Sequence, residues 1–183
     1  MNIHIETKRF ILRDIEHEDV NGMFALDSDP EVHQFLGNKP IHTIDEARKT
    51  IDVIRQQYIK NGIGRWAIID KQTNDFVGWS GLKYEEGLRK DFSYYDLGYR
   101  LRKKYWGQGI ATETAIASIN YGFEKLNLKE ISAAADVKNV ASNKILQKVG
   151  LSFIETFKFE DTTCNWYSLT KKDWKELKKN KLD

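Results

Sequence analysis

The chain holds one cysteine, Cys164. A lone thiol cannot close an internal disulfide, so nothing calls for an oxidising compartment. No apolar run is long enough to span a bilayer, and the first residues lack the apolar core of a signal peptide. The expected location is the cytoplasm, with no membrane partner. The excess of one sign of charge is also small. The formal net charge is +2, too small to argue for nucleic acid. The histidines are His4, His17, His33 and His42, and they lack metal-ligand spacing, so no metal is expected. All of them lie far in sequence from Cys164, which has no imidazole assigned to activate it and reads as a half-buried strand residue. Internal repeats, low-complexity tracts and long linkers are absent, so 1–183 is expected to form one domain with 170–183 as a basic extension.

What remains is a folding chain of 183 residues, 40% hydrophobic and 31% charged. Its basic residues cluster in two places, "RLRKK" (Arg100 to Lys104) and "KKDWKELKKNK" (Lys171 to Lys181). The tail reads as a solvated helix end. The first run sits where it could face a polyanion.

Ile3 to Ile15 reads as one strand on Ile3, Ile5, Phe10 and Leu12. "HEDVNGMFALDSDP" reads as a short helix ending near Pro30. Thr43 and Glu46 form a capping box that opens a helix ended by Gly62. Three strands follow, "GRWAIID", "DFVGWSGLKY" and "FSYYDLGYRLR", with hairpin-like connections that imply an antiparallel meander. Ile110 to Phe123 carries Ala111, Ala115, Ile119 and Phe123 at helical spacing. "EISAAAD" reads as a buried strand, Asn139 as the cap of a helix stopped by Gly150, and "LSFIETFKF" and "NWYSLT" as two closing strands. The pattern predicts an α+β domain with a mixed, mostly antiparallel sheet of about seven strands and four or five helices.

Between the meander and the long helix lies "YWGQGIATET", Tyr105 to Thr114. Glycines ahead of a helix let the backbone close on an anion while the first helical amides point at it. The Walker string is absent. The dinucleotide fingerprint is half met. Gly107 and Gly109 fit and Asp136 follows at a plausible distance, but Thr112 stands where the third glycine belongs and the preceding strands read as antiparallel. A strand–turn–helix that binds a pyrophosphate without metal fits better.

At this point the sequence resembles the GNAT superfamily of acyl-CoA-dependent N-acyltransferases. "WGQGIA" is similar to its Arg/Gln-x-x-Gly-x-Gly/Ala turn. Trp106 replaces the first position, as is typical of the RimJ/RimL-type branch that acetylates ribosomal-protein N-termini. "ETKRFILRDIEHED", "SDPEVHQFLG", "YYDLGYRL" and "NVASNKILQKVGLSF" resemble other segments of that branch, in order. The resemblance implies an N-acetyltransferase that uses acetyl-CoA as co-substrate. Transfer would be direct, in a ternary complex, to a protein N-terminal amine. The branch also holds enzymes for small amines such as polyamines, aminoglycosides and amino acids, and a homodimer is possible.

The same resemblance assigns the donor to Trp106, Gly107, Gln108, Gly109, Ile110, Ala111 and Thr112, to the strand backbone at Tyr99, Arg100 and Leu101, and to Asn139. Arg102, Lys103 and Lys104 either add field for the phosphates or are simply solvated. Asp96 is the first candidate base and Glu160, placed on the penultimate strand, the second. Many family members carry a tyrosine seven residues after the asparagine as general acid. Here Leu146 stands in that position, and Ser142 takes the expected role by hydrogen bonding or relaying a proton. The missing tyrosine also leaves open a CoA-binding regulatory module without turnover. Trp66, Trp79, Tyr84, Tyr94, Tyr95, Trp106 and Trp166 read mostly as core or dimer contacts, with Trp79, Tyr94 and Tyr95 as candidates for an acceptor groove.

Overall fold

The structure, a computed structural model, describes residues 2–180. In chain order the elements are β1 (Ile3–Glu6), β2 (Phe10–Asp14), α1 (Val20–Asp27), α2 (Ile44–Asn61), β3 (Trp66–Asp70), β4 (Phe76–Glu85) and β5 (Tyr94–Leu101). Then follow α3 (Ile110–Glu124), β6 (Glu130–Asp136), α4 (Val140–Lys148), β7 (Ser152–Phe159), β8 (Thr162–Thr170) and α5 (Lys171–Lys179). The strands form one eight-stranded sheet in the order β1-β2-β3-β4-β5-β6-β8-β7. Every pairing is antiparallel except β5 with β6, which is parallel. The α+β architecture expected from the sequence is the one observed.

The expected single opening strand is two strands. Thr7 makes the turn between β1 and β2: its backbone N–H bonds the Phe10 carbonyl at 2.9 Å, and its hydroxyl accepts the Phe10 N–H at 2.9 Å. This side-chain turn carries no Gly or Pro signal, which is why the strand reads as continuous.

Period-2 alternation sorts the sheet into two faces. On one, Leu97, Leu101, Ile131 and Ala133 meet Ala115, Ile119 and Phe123 of α3 in a buried cluster. On the other, Ala67 and Ile69 meet Met23 and Leu26 of α1 and Ile51 and Ile54 of α2. The capping box at Thr43 and Glu46 forms, and Gly62 ends α2 at φ 68. The basic tail is more than solvated charge. It is α5, capped by Thr170, and Trp174 buries its ring against Phe123 at 5.1 Å between centroids. Residues 181–183 of the expected extension lie outside the described residues.

Candidate active site

The sheet has one weak seam. β5 and β6 share a single register pair, Asp96 with Ser132. Both strands run on without pairing to each other, β5 to Leu101 and β6 to Asp136. Two helices start just past these ends, α3 after the glycine turn and α4 after Asn139. Facing strand edges therefore offer unpaired backbone groups, and two helix N-termini stand above them.

The glycine turn is built for close approach. Gly107 and Gly109 adopt φ 74 and 73, and Gly109 is the N-cap of α3 with no side-chain cap. The first amides of α3, at Ile110, Ala111 and Thr112, thus have no side-chain oxygen ahead of them. The Trp106 indole folds back and donates to the Leu101 carbonyl at 2.8 Å, tying the turn to the end of β5. Gln108 donates to the Lys104 carbonyl at 3.1 Å.

Sequence reasoning missed Arg9. From the β1–β2 hairpin it donates to the Gln108 carbonyl at 3.0 Å and to the Glu113 carboxylate at 2.7 Å. Glu113 sits in the first turn of α3. Burial pushes its carboxyl up, but hydrogen bonds from Thr7 and Arg9 outweigh this and hold it below the usual range. Arg9 thereby balances a negative charge placed beside the turn. In the "RLRKK" run Lys103 and Lys104 are exposed, and each cation has a partner within the chain. Arg100 bonds Asp27 at 2.6 Å, Lys103 meets Glu31 at 2.5 Å, Lys104 meets Asp75 at 3.1 Å, and Arg102 donates to the Phe76 carbonyl at 3.0 Å.

At α4, Asn139 accepts the Ser142 N–H at 3.0 Å, the predicted N-cap. Asn143 accepts from Tyr167 and Asn165 at 2.7 Å each and donates to the Asp136 and Asn139 carbonyls at 2.8 and 2.7 Å. All of its hydrogen-bonding capacity on those atoms is used, so the end of β6 and the start of α4 are locked to β8. The Ser142 hydroxyl lies 3.2 Å from the Tyr99 hydroxyl across the seam. Leu146 is buried and packs in the core.

Asp96 is partly buried on the α1–α2 face, and Arg65 holds one of its carboxylate oxygens. The Arg65 guanidinium crosses β5 at Gly98, where a Cβ would lie 2.5 Å from it, so any larger residue there would have to push the guanidinium aside. Burial pushes the Asp96 carboxyl up, with Arg65 and Lys83 pulling against it. Glu160 is not on the penultimate strand. It is exposed in the turn between β7 and β8 at φ 50, where the chain reverses.

The three groove candidates separate. Trp79 lies under the guanidinium groups of Arg65 and Arg100, at 5.3 and 5.0 Å. Tyr94 and Tyr95 instead line a cavity of about 620 Å³ with Tyr84, Phe92, Ser132 and Trp166. Trp66 is fully buried, and Trp106 is 44% exposed rather than core. Cys164 is buried on β8. Among the described residues no group of three or more His, Cys, Asp or Glu is placed to hold a metal ion, and no helix is long and apolar enough to cross a membrane.

A parallel pair that parts beyond one contact, with a glycine turn opening the next helix, agrees with what the resemblance to the GNAT superfamily implies for this region. Residues 9–152 match the acetyltransferase (GNAT) domain family. The chain is 33% identical over 150 residues to the uncharacterized N-acetyltransferase p20 of Bacillus licheniformis, covering 79% of this chain and 83% of that protein. The chain therefore belongs to the GNAT acetyltransferase family, and it is an acyl-CoA-dependent N-acetyltransferase. The fold is similar to the RimL ribosomal L7/L12 α-N-protein acetyltransferase in complex with coenzyme A. That likeness has a TM-score of 0.76 at 16% identity, over 92% of this chain and 98% of that one. It is also similar to spermidine N-acetyltransferase from Vibrio cholerae in complex with CoA and spermine. Here the TM-score is 0.73 at 15% identity, over 92% and 99% of the two chains.

Proposed function

We propose that this protein transfers acetyl from acetyl-CoA to a protein N-terminal α-amine, directly and in a ternary complex, in the cytoplasm. The observation that carries the donor half is the seam: unpaired strand edges beyond Asp96 and Ser132, crowned by the uncapped amides of α3. These residues suit a long ligand with amides along its length and a pyrophosphate at one end. The backbone of Tyr99, Arg100 and Leu101 meets the pantetheine amides. The amides from Trp106 to Thr112, through Gly107, Gln108, Gly109, Ile110 and Ala111, hold the pyrophosphate, and Asn139 borders the arm. Bound there, the co-substrate supplies an activated acetyl group, and a strand N–H polarises its carbonyl.

The acceptor half follows from the mild basicity available. An α-amine with a pKa near 8 is roughly one-tenth neutral at pH 7, whereas a lysine near 10.4 needs far more help. Asp96 acts as base through a water, its second carboxylate oxygen being the one Arg65 leaves free. Glu160, exposed in its turn, would serve only if the hairpin of β7 and β8 folds over the acceptor. Ser142 faces the leaving sulfur. The likeness to RimL supports the protein acceptor, and that to spermidine N-acetyltransferase supports the small-amine alternative. An exposed edge strand, β7, with Phe153 and Ile154 about half exposed, supports a homodimer.

Thiol release measured over a panel of N-terminal peptides, spermidine and aminoglycosides tests the reading. Fastest turnover with peptides is expected. Turnover confined to spermidine or aminoglycosides would replace the acceptor while leaving the donor site standing.

A further inference from the structure

The hydroxyl expected at position 146 is missing from α4, but a phenol from β5 reaches Ser142, one turn earlier on that helix. The Tyr99 hydroxyl lies 3.2 Å from the Ser142 hydroxyl and 3.2 Å from the Ser142 carbonyl. A phenol has one hydrogen to give, so it goes either to the carbonyl or to Oγ, and two mutually bonded arrangements follow. In the first, Tyr99 donates to the Ser142 carbonyl and the serine hydroxyl donates to the phenol oxygen, which uses up the serine hydrogen. In the second, Tyr99 donates to Ser142 Oγ, and the serine hydrogen is free to turn toward the opening between β5 and β6.

We infer that Tyr99 is a positioning residue for acetyl transfer: by donating to Ser142 Oγ it aims the serine hydrogen at the leaving sulfur. This inference rests on the donor site proposed above. When Tyr99 donates to Oγ the serine hydrogen cannot be spent on the phenol, and Tyr99 is a hydroxyl that the structure places within reach of it. The rest of the serine is already committed, since its N–H is held by Asn139 at 3.0 Å. Burial keeps the phenol protonated, pushed up to about 12, with the Ser142 contact pulling the other way. It therefore remains a donor throughout the working range. The amine nitrogen bonds the acetyl carbon as the C–S bond breaks, and the electron pair of that bond ends on sulfur, where the serine hydrogen bonds it without being transferred. The proton that Asp96 takes from the amine through its water is released to solvent and a solvent proton completes the thiol, so Asp96, Tyr99 and Ser142 end the cycle as they began it.

The test compares Tyr99→Phe, Ser142→Ala and the double variant by turnover and by titration of bound CoA, following the ultraviolet absorbance of its thiolate. Tyr99→Phe keeps the ring, and calorimetry with CoA confirms that the donor still binds. The expected result is a kcat about tenfold lower with acetyl-CoA KM unchanged. The bound thiol should also titrate at higher pH in Tyr99→Phe, because a lost hydrogen bond to the thiolate raises its pKa. In the Ser142→Ala background, Tyr99→Phe should add nothing further. If Ser142→Ala slows turnover and Tyr99→Phe changes neither kcat nor the thiol titration, the positioning role is overturned while the serine assignment stands. If the two losses simply add, Tyr99 does not act through Ser142 and the inference also falls. Absence of CoA binding to the wild-type protein would instead remove the donor site itself.

Discussion

Arg9 and Glu113 are 104 residues apart in sequence and meet at 2.7 Å, stapling the first hairpin to the first turn of α3. The same guanidinium holds the Gln108 carbonyl, so one side chain fixes both sides of the glycine turn. The expectation is that Arg9→Gln weakens CoA binding by about fivefold, from a surface-type charge contribution near 1 kcal/mol. Isothermal titration with CoA and with pantetheine separates the effects. Loss with CoA alone places the effect at the phosphates. Equal loss with both would mean that the disturbance reaches the β5 edge rather than the turn.

The same pair sets an acid limb. The Glu113 carboxyl is held below its ordinary value, so over that window the unfolded chain binds more protons than the folded one. Stability is therefore present above the unfolded value and is lost as pH falls through the folded one. Acid melting of Glu113→Gln should show a shallower decline than wild type below the ordinary glutamate range. Superimposable acid profiles would count against a structural role for the pair.

Gly109 adopts φ 73, and a Cβ there would meet nothing closer than an Arg9 nitrogen at 3.9 Å. Space is therefore not the obstacle, and the cost of Gly109→Ala is conformational, roughly 1–2 kcal/mol. Thermal melting should show that loss, together with weaker CoA binding as the turn relaxes. A variant that keeps full CoA affinity would show that the left-handed geometry is not what the donor requires.

Asp96 carries a carboxyl raised by burial against the pull of Arg65. The rate should climb with pH through a value above the ordinary aspartate range, and Asp96→Asn should remove that limb and lower kcat/KM by about a hundredfold. The opposing stability effect has the opposite sign to that of Glu113. A raised carboxyl adds stability below its unfolded value, and this is lost as pH rises through the folded one. An unchanged pH–rate profile in Asp96→Asn would exclude it as the base.

Trp174 is 9% exposed and donates its indole N–H to Asn120 at 3.0 Å. Trp174→Ala should cost about 3–5 kcal/mol by leaving a cavity over Phe123. Denaturant unfolding should register that loss while CoA affinity stays near wild type. A change within experimental error would show α5 to be dispensable.

The features legible in the sequence are those written within one turn of chain. Thr43 with Glu46, Asn139 and Gly62 each declare a cap by local chemistry, and each cap is found. The parallel contact of β5 with β6 and the insertion of β8 between β6 and β7 are tertiary choices with no local marker. The same holds for Arg9 with Glu113, Tyr99 with Ser142, and Asn143 with Tyr167, whose partners are set by strand order. Thr7 shows the complementary failure. Its turn is local, but a hydroxyl does what a glycine usually announces.

The single pair between Asp96 and Ser132 makes the sheet two panels joined at a hinge pin. One panel is β1 to β5, backed by α1, α2 and α3, and the other is β6 to β8, backed by α4 and α5. An extended ligand laid in the gap would take hydrogen bonds from both panels, as a strand does. On the donor site proposed above, the fold would reserve a place in its own sheet for a backbone that its sequence does not encode, and the co-substrate would be a structural member as well as a reactant.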